Sequence, residues 1–443
     1  MHSPATISRA KGRWNIPDVG PRVGPTKLAA GSTKRAAGAP HIRAFCECVG
    51  VRAIRAALAL AFISALLLIA ARPAQAQTEA VLYNFAGNPD GAFPASNLTS
   101  DGAGNFYGTT YGGGRLGRGT VFELSPNGSG GWNETVLYSF CSAPFCVDGS
   151  HPMYTDVILD SAGNLYGTTE AGGAYGWGVV FELSPVGTTW TETVLYSFAN
   201  DGDGANPSSG LTMDPAGNLY GTTTPDGECI APGTVFELSP SAGGWTEQVI
   251  YRAVTCNAGL TMDAAGNIFG ASVSTVFELS PNGEGGWNPT VIYTFKNVVF
   301  PSTPVLDKAG DIYGTTEGKW PHGNGTVYKL TLGKKGEWTV KFLHSFKGGK
   351  KDGNHPVAGI VFDGAGNIYG ATATGGTYDV GTVFELVPPV GNGSYNEKIL
   401  WSFNVTDGCE PSGSLILDSA GNLYSATVLG GSSNSGVVFE VTP

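Results

Sequence analysis

Five copies of Asp-Gly-x-x-Pro, beginning at Asp90, Asp148, Asp203, Asp352 and Asp407, are the most regular chemistry-bearing pattern in this chain. Carboxylates repeated at one structural place around an opening could hold Ca2+, which takes hard oxygen ligands. The plainer reading, a loop turn, takes precedence, because Asp-Gly is a common turn pair. No Asp-x-Asp-x-Asp-Gly loop with a distant Glu is present, so no EF-hand is predicted. A second group, Tyr111, Tyr175, Trp177, Trp320 and Tyr378, stands outside any repeated motif. Aromatic rings next to carboxylates suit a sugar or peptide ligand; packing beneath long loops is the alternative.

Other reactive residues form no known catalytic pattern. His151, His322 and His355 fall in different parts of the chain, and His344 lies in a strand-like segment. A histidine-only zinc centre needs three imidazoles within ~2 Å of one ion, and no His-Glu-x-x-His occurs. Neither Cys-His-Asn nor Gly-x-Ser-x-Gly supports a nucleophile. Gly112-Gly-Gly114 precedes no Gly-Lys-Ser/Thr, so it is no phosphate cradle. No catalytic residue is assigned and no organic cofactor is expected. Cys141 and Cys146 could close a small loop as a disulfide. Cys229 and Cys256 could pair with each other, which leaves Cys409 as the odd thiol.

The elements that position these residues are written in a second repeat. Asp-x-Ala-Gly-Asn-(Leu/Ile/Phe)-(Tyr/Phe)-Gly begins at Asp101, Asp160, Asp214, Asp263, Asp307, Asp363 and Asp418, with Asp311 and Ser425 as single departures from it. Around each copy lie segments of four to seven residues rich in Val, Leu, Tyr, Phe and Thr, bounded by Gly, Pro, Asn or Asp. These are strands joined by tight turns, in which Gly supplies positive φ and Asp and Asn bind nearby backbone. An irregular period near fifty residues with four strands per unit predicts an all-β, seven-bladed β-propeller of four-stranded blades. The Asp of each turn is structural, since seven copies of one catalytic carboxylate would be redundant. Trp132, Trp190, Trp245, Trp287 and Trp338, with Tyr395 in the sixth place, recur before the outer strands and predict packing between blades.

The segments Gly-Asn-Leu-Tyr-Gly-Thr-Thr, Gly-Thr-Val-Phe-Glu-Leu-Ser-Pro and Glu-Thr-Val-Leu-Tyr-Ser-Phe in series resemble the GloVer (Gloeo/Verruco) tandem repeat of exported bacterial proteins, over essentially all of 79–443. The resemblance implies an exported repeat protein and offers no catalytic residues to carry over. A likeness to NHL-type propellers suggests the strand roles. Leu-x-x-Asp is innermost, Asn-Leu-Tyr-Gly-Thr-Thr second, Thr-Val-Phe-Glu-Leu third and Val-Leu-Tyr-Ser-Phe outermost. The chain then opens on an outermost strand and closes on a third strand, so residues 80–85 are expected to complete the last blade beside 436–442 and close the ring. Loops from outermost to innermost and from second to third strands share one face, which carries Tyr111, Tyr175, Trp177, Trp320, Tyr378, the five cysteines named above, His151, His322 and His355, whereas His344 sits in an outer strand. The short connection Ala271–Ser274 predicts a low wall there, opening that face as a groove.

Charge and compartment fit export. Residues 1–76 carry 11 Lys/Arg against two acids, whereas the rest carries 14 against 34. An acidic mature chain lacks the basic footprint that nucleic acid requires. Residues 56–71 form an uncharged, mostly apolar run preceded by Arg52 and Arg55 and followed by Ala74-Gln-Ala76, the pattern of a signal peptide over 51–76. Residues 1–50 read as an unstructured leader or a mis-assigned start. A mature 77–443 would be one propeller domain, monomeric, secreted or periplasmic, free of membrane after cleavage. Stopping at Pro443, without a surface-sorting segment, favours release or periplasmic residence over covalent anchoring. Its expected role is non-enzymatic binding of carbohydrate or protein through the loop face. The alternatives are a polysaccharide lyase or hydrolase with a carboxylate site there, and a structural envelope or matrix protein.

Overall fold

A computed structural model describes residues 77–224, 232–253, 258–297, 299–318, 323–391 and 393–443. The expectations for the leader and signal peptide, and for Cys229, Cys256, Trp320 and His322, fall outside these residues. The described chain contains no α-helix and consists of short antiparallel strands.

Seven four-stranded blades follow one another around a ring, each with the expected strand order. Blade 1 runs Thr99–Ser100, Phe106–Thr110, Thr120–Pro126 and Trp132–Ser139 from innermost to outermost. Blades 2 to 6 repeat this pattern, ending on outermost strands Thr189–Ser197, Gly244–Ala253, Trp287–Thr294, Trp338–Ser345 and Asn396–Ser402. Blade 7 takes Ile416–Leu417, Leu423–Leu429 and Val437–Thr442 from the C-terminal end and Thr78–Asn84 from the N-terminal end of the described residues. Thr78 pairs with Thr442 and Asn84 with Val437, so the ring closes as a clasp. Closure leaves no blade with an unfinished edge.

The Asp-x-Ala-Gly-Asn turn works through its first side chain. Asp160 Oδ1 accepts the N–H groups of Ala162 and Asn164 at 2.8 Å each, and Oδ2 accepts Asn164 Nδ2 at 2.9 Å. The same bonds recur at Asp101, Asp214, Asp263, Asp363 and Asp418. Where Asp311 replaces the Asn, Lys329 replaces the Glu of the third strand, and its Nζ lies 2.5 Å from Asp311.

The core lies between blades. Tyr107, Val121 and Phe140 of blade 1 pack with Leu165, Val179, Phe181 and Leu183 of blade 2, and six similar clusters complete the circle. The second strands of blades 1 to 6 are therefore buried along their whole length, as in Phe106–Thr110. The Gly of Tyr-Gly-Thr is required by this packing: a Cβ at Gly108 would meet Phe122 Cζ at 2.7 Å, and Gly167 stands in the same relation to Phe181. The repeat aromatics fill these seams. Trp132 stacks on Phe106 at 5.6 Å, Trp287 meets Tyr220 of the preceding blade, and Trp190, Trp245, Trp338 and Tyr395 border their own clusters.

Candidate functional site

Each residue of Asp-Gly-x-x-Pro has a mechanical task. The Asp binds its loop to the outermost strand before it. Asp148 Oδ2 accepts Tyr138 Oη at 2.8 Å and the Ser142 N–H at 2.7 Å, and Asp203 does the same with Tyr196 and Ala199. Asp90 accepts Tyr83 Oη and the Ala86 N–H, Asp352 accepts the Lys347 N–H, and Asp407 accepts the Asn404 N–H. The Gly seats on a buried threonine pair that ties the second strand to the third; a Cβ at Gly204 would meet both Thr223 Oγ1 and Thr234 Oγ1 within 2.6 Å. The Pro closes on a glycine of the preceding blade, as Pro207 does on Gly178. These five carboxylates thus sit in five separate loops, each tied back to the outermost strand before it, and none lines the axial cavity.

The residue before the Pro is the one the motif presents. Phe93, His151, Asn206, His355 and Glu410 all have φ between 51° and 60°, and Phe300, before Pro301 in blade 5, has 45°. This left-handed backbone is costly without Gly. Two backbone bonds hold it. The His151 N–H reaches Arg118 O of the blade behind, and His151 O accepts the Glu170 N–H of its own blade. Asn206, Phe300 and His355 are locked in the same way. The result is a ring of side chains of unrelated type on the loop face.

Inside it lies a second ring, four residues before each turn Asp: Asn97, Asp156, Gly210, Gly259, Thr303, Gly359 and Ser414. Asn97 donates to Asp156 from both its backbone N–H and Nδ2, at 2.8 and 2.5 Å, and its own Oδ1 accepts the Ser414 N–H. Ser414 Oγ accepts the Gly359 N–H, and Thr303 Oγ1 accepts the Gly259 N–H. A cavity of about 390 Å³ opens at this axis, lined by the inner ring, by Phe300 and Glu410 of the outer one, and by Tyr154 and Glu317.

The cavity is acidic and partly desolvated. Burial pushes Asp156 up to about 6 against the opposing pull of its Asn97 bonds, although the residue as a whole is only half-buried. Burial also raises Glu317 and Glu170 above the usual carboxylate range. Tyr154 is raised first by burial and then by the charges of Glu317, Glu410 and Glu170. A carboxyl raised by burial, a hydrogen-bonded carboxylate and a phenol therefore face one space.

The repeat itself decides the family. The Gloeobacter/Verrucomicrobia repeat matches residues 130–299 and 272–443. The chain belongs to the Gloeobacter/Verrucomicrobia repeat family. No curated protein matches this repeat protein. Solved structures similar to it include a streptogramin B lyase, 14% identical, with a TM-score of 0.52 over 83% of this chain and 99% of that one. The virginiamycin B lyase of Staphylococcus aureus gives the same values. The extracellular domain assigned to a one component system of B. thetaiotaomicron is 9% identical, with a TM-score of 0.50 over 81% of this chain and 39% of that chain. Likeness at these identities shows the propeller fold alone.

In this Gloeobacter/Verrucomicrobia repeat protein the aromatic residues singled out from sequence divide. Tyr111 packs on the His151 ring at 4.9 Å, and Arg118 Nη1 lies 3.3 Å from His151 Nε2. Tyr175, Trp177 and Tyr378 are exposed on second-to-third loops, apart from the lining of the axial cavity. Cys141 and Cys146 are disulfide-bonded, and Cys409 is a buried thiol, the free one among the described residues. Sequence reading passed over Tyr154, Asp156, Glu317 and Glu410. A constant offset from each turn Asp marks the inner ring, and a constant place before Pro marks the outer one, but neither keeps a residue type. No helix among the described residues is long and apolar enough to cross a membrane.

Proposed function

We propose that this protein is an exported binding protein, secreted or periplasmic, that takes a carbohydrate ligand at the axial cavity of its loop face. The observation that carries this reading is the concentration of non-repeating polar side chains at one opening. Asp156, Glu317, Glu410 and Tyr154 offer hydrogen-bond acceptors and a phenol in a space of about 390 Å³, within the ~300–1,000 Å³ range of small-ligand sites. Such groups recognise several hydroxyls at once. The exposed rings of Tyr175, Trp177 and Tyr378 extend the same face for a longer chain.

A glycosidic lyase or hydrolase is the second reading, favoured by one feature: Glu317, raised by burial, shares the cavity with other carboxylates as a general acid would. A glycan array probed with the purified protein, followed by incubation of each hit and mass analysis, separates the two. Bound and unchanged oligosaccharide is the expected outcome. Shortened or unsaturated product moves the assignment to the enzyme, and an array without a bound glycan overturns carbohydrate recognition.

A further inference from the structure

At three blade junctions a tyrosine of one outermost strand, the Asp of the following loop and a Glu from the next outermost strand come together: Tyr83, Asp90 and Glu134; Tyr138, Asp148 and Glu192; Tyr196, Asp203 and Glu247. In each, the phenol donates to the Asp, at 3.1, 2.8 and 2.9 Å. Between blades 5 and 6 the place of the tyrosine is taken by His344, opposite Asp352 and Glu397. The substitution removes the hydroxyl donor and introduces a nitrogen lone pair.

The geometry changes with it. His344 Nε2 lies 3.6 Å from Asp352 Oδ1 and 3.6 Å from Glu397 Oε2, and ligand atoms of all three residues lie within 4.8 Å of one another. Those distances are too long for hydrogen bonds. They match two donors on one tetrahedral ion: bonds of ~2.1 Å place ligand atoms ~3.4 Å apart. Asp352 is 9% exposed, and its Oδ1 is buried without a hydrogen bond, as is Glu397 Oε1; the matching oxygens of Asp148, Asp203, Glu192 and Glu247 are unpaired too, so the buried, unpaired His344 Nε2 is what this junction adds. Asp352 Oδ2 is already engaged by the Lys347 N–H, which turns Oδ1 toward the other two. His344 is held edge-on against Phe346 at 4.7 Å.

We propose that His344, Asp352 and Glu397 form a metal site for one first-row divalent cation, best fitted by Zn2+, bridging blades 5 and 6. Imidazole with two carboxylates suits zinc, whereas Ca2+ takes an all-oxygen shell of six to eight ligands. The bound ion replaces the tyrosine bridge of the other junctions as the tie between blades, and a water completes its shell.

The test compares the purified full chain with His344→Tyr, which restores the residue of the other junctions and so preserves folding, and with Glu397→Gln. All three proteins are stripped with chelator, equilibrated with Zn2+ and dialysed, then metal content and melting are measured. The native chain should retain one more Zn2+ than either variant, and Zn2+ should raise its melting temperature but not theirs. Co2+ loaded in place of Zn2+ should give a spectrum without thiolate charge transfer, excluding Cys409 as the ligand. Equal metal content in native and His344→Tyr, or no Zn2+ retained by the native chain, would show a plain histidine–carboxylate contact and overturn the site.

Discussion

Asp311 and Lys329 show how a single departure from the repeat is absorbed. Six turns place an Asn beside the Asp; the fifth places a second carboxylate there, and the third strand answers with a lysine where the others carry glutamate. Burial alone would lower Lys329, but its bonds to Asp311 and Tyr313 outweigh that and raise it well above the usual amine range. Lys329→Glu should therefore destabilise the protein by about 1–2 kcal/mol, the scale of a charged hydrogen bond lost. Adding Asp311→Asn should recover most of it, because the pair then reads as in the other blades. Urea melts of the two single variants and the double variant measure the coupling; additive effects would contradict it.

The blade junction is where pH acts on the elements. Glu79, Glu134, Glu192 and Glu247 each project from an outermost strand toward the Asp of a neighbouring loop. Burial first, and that Asp second, push each up to about 7 from an ordinary 4.5. A carboxyl that holds its proton more tightly in the folded state favours folding below pH 4.5, and this contribution is lost as pH rises through about 7. The protein should melt at progressively lower temperature between pH 5 and pH 8. Glu134→Gln, which mimics the protonated acid, should raise melting at pH 8 and leave it unchanged at pH 5. An identical effect of Glu134→Gln at both pH values would remove the junction from the account.

These junctions also mark the limit of what the sequence discloses. The turns and the strand order are legible because each depends on residues a few positions apart, as in Asp160 and Asn164, and the clasp follows from the complementary strand types at the two ends. Asp148, in the loop leaving blade 1, and Glu192, on the outermost strand of blade 2, lie 44 residues apart, so no local motif joins them. Asp90, Asp148, Asp203, Asp352 and Asp407 were legible as a series. Their orientation toward outermost strands, rather than toward an opening, follows from Tyr138, Tyr196 and their counterparts reaching back across the loop. The axial residues were hidden for the opposite reason. Their offset from the turn is constant, but Asn97, Asp156, Gly210 and Thr303 share no chemistry.

At the scale of the molecule, the ring is held at its closure by Thr78–Asn84 and by Phe85 immediately after it. Phe85 is fully buried, edge-on to Phe122 of blade 1 at 5.1 Å. It packs with Tyr424, Ala426 and Val438 of blade 7 and so ties the last blade to the first. Phe85→Ala should cost about 3–5 kcal/mol in a single cooperative transition, since opening one seam exposes the edges of both blades. An unchanged melt would mean that the clasp contributes nothing to the closed ring.

The closed ring presents one axial face, and the assignment of function rests on the side chains gathered there. The most direct test is binding of an array-selected glycan to the native protein and to the combined variant Tyr154→Phe, Glu317→Gln and Glu410→Gln, with melting curves recorded for both. The account predicts that the variant melts like the native protein and loses at least ~10-fold in affinity, as the loss of a single 1.4 kcal/mol interaction would produce. Undiminished binding by a folded variant would contradict it and move recognition away from the axis.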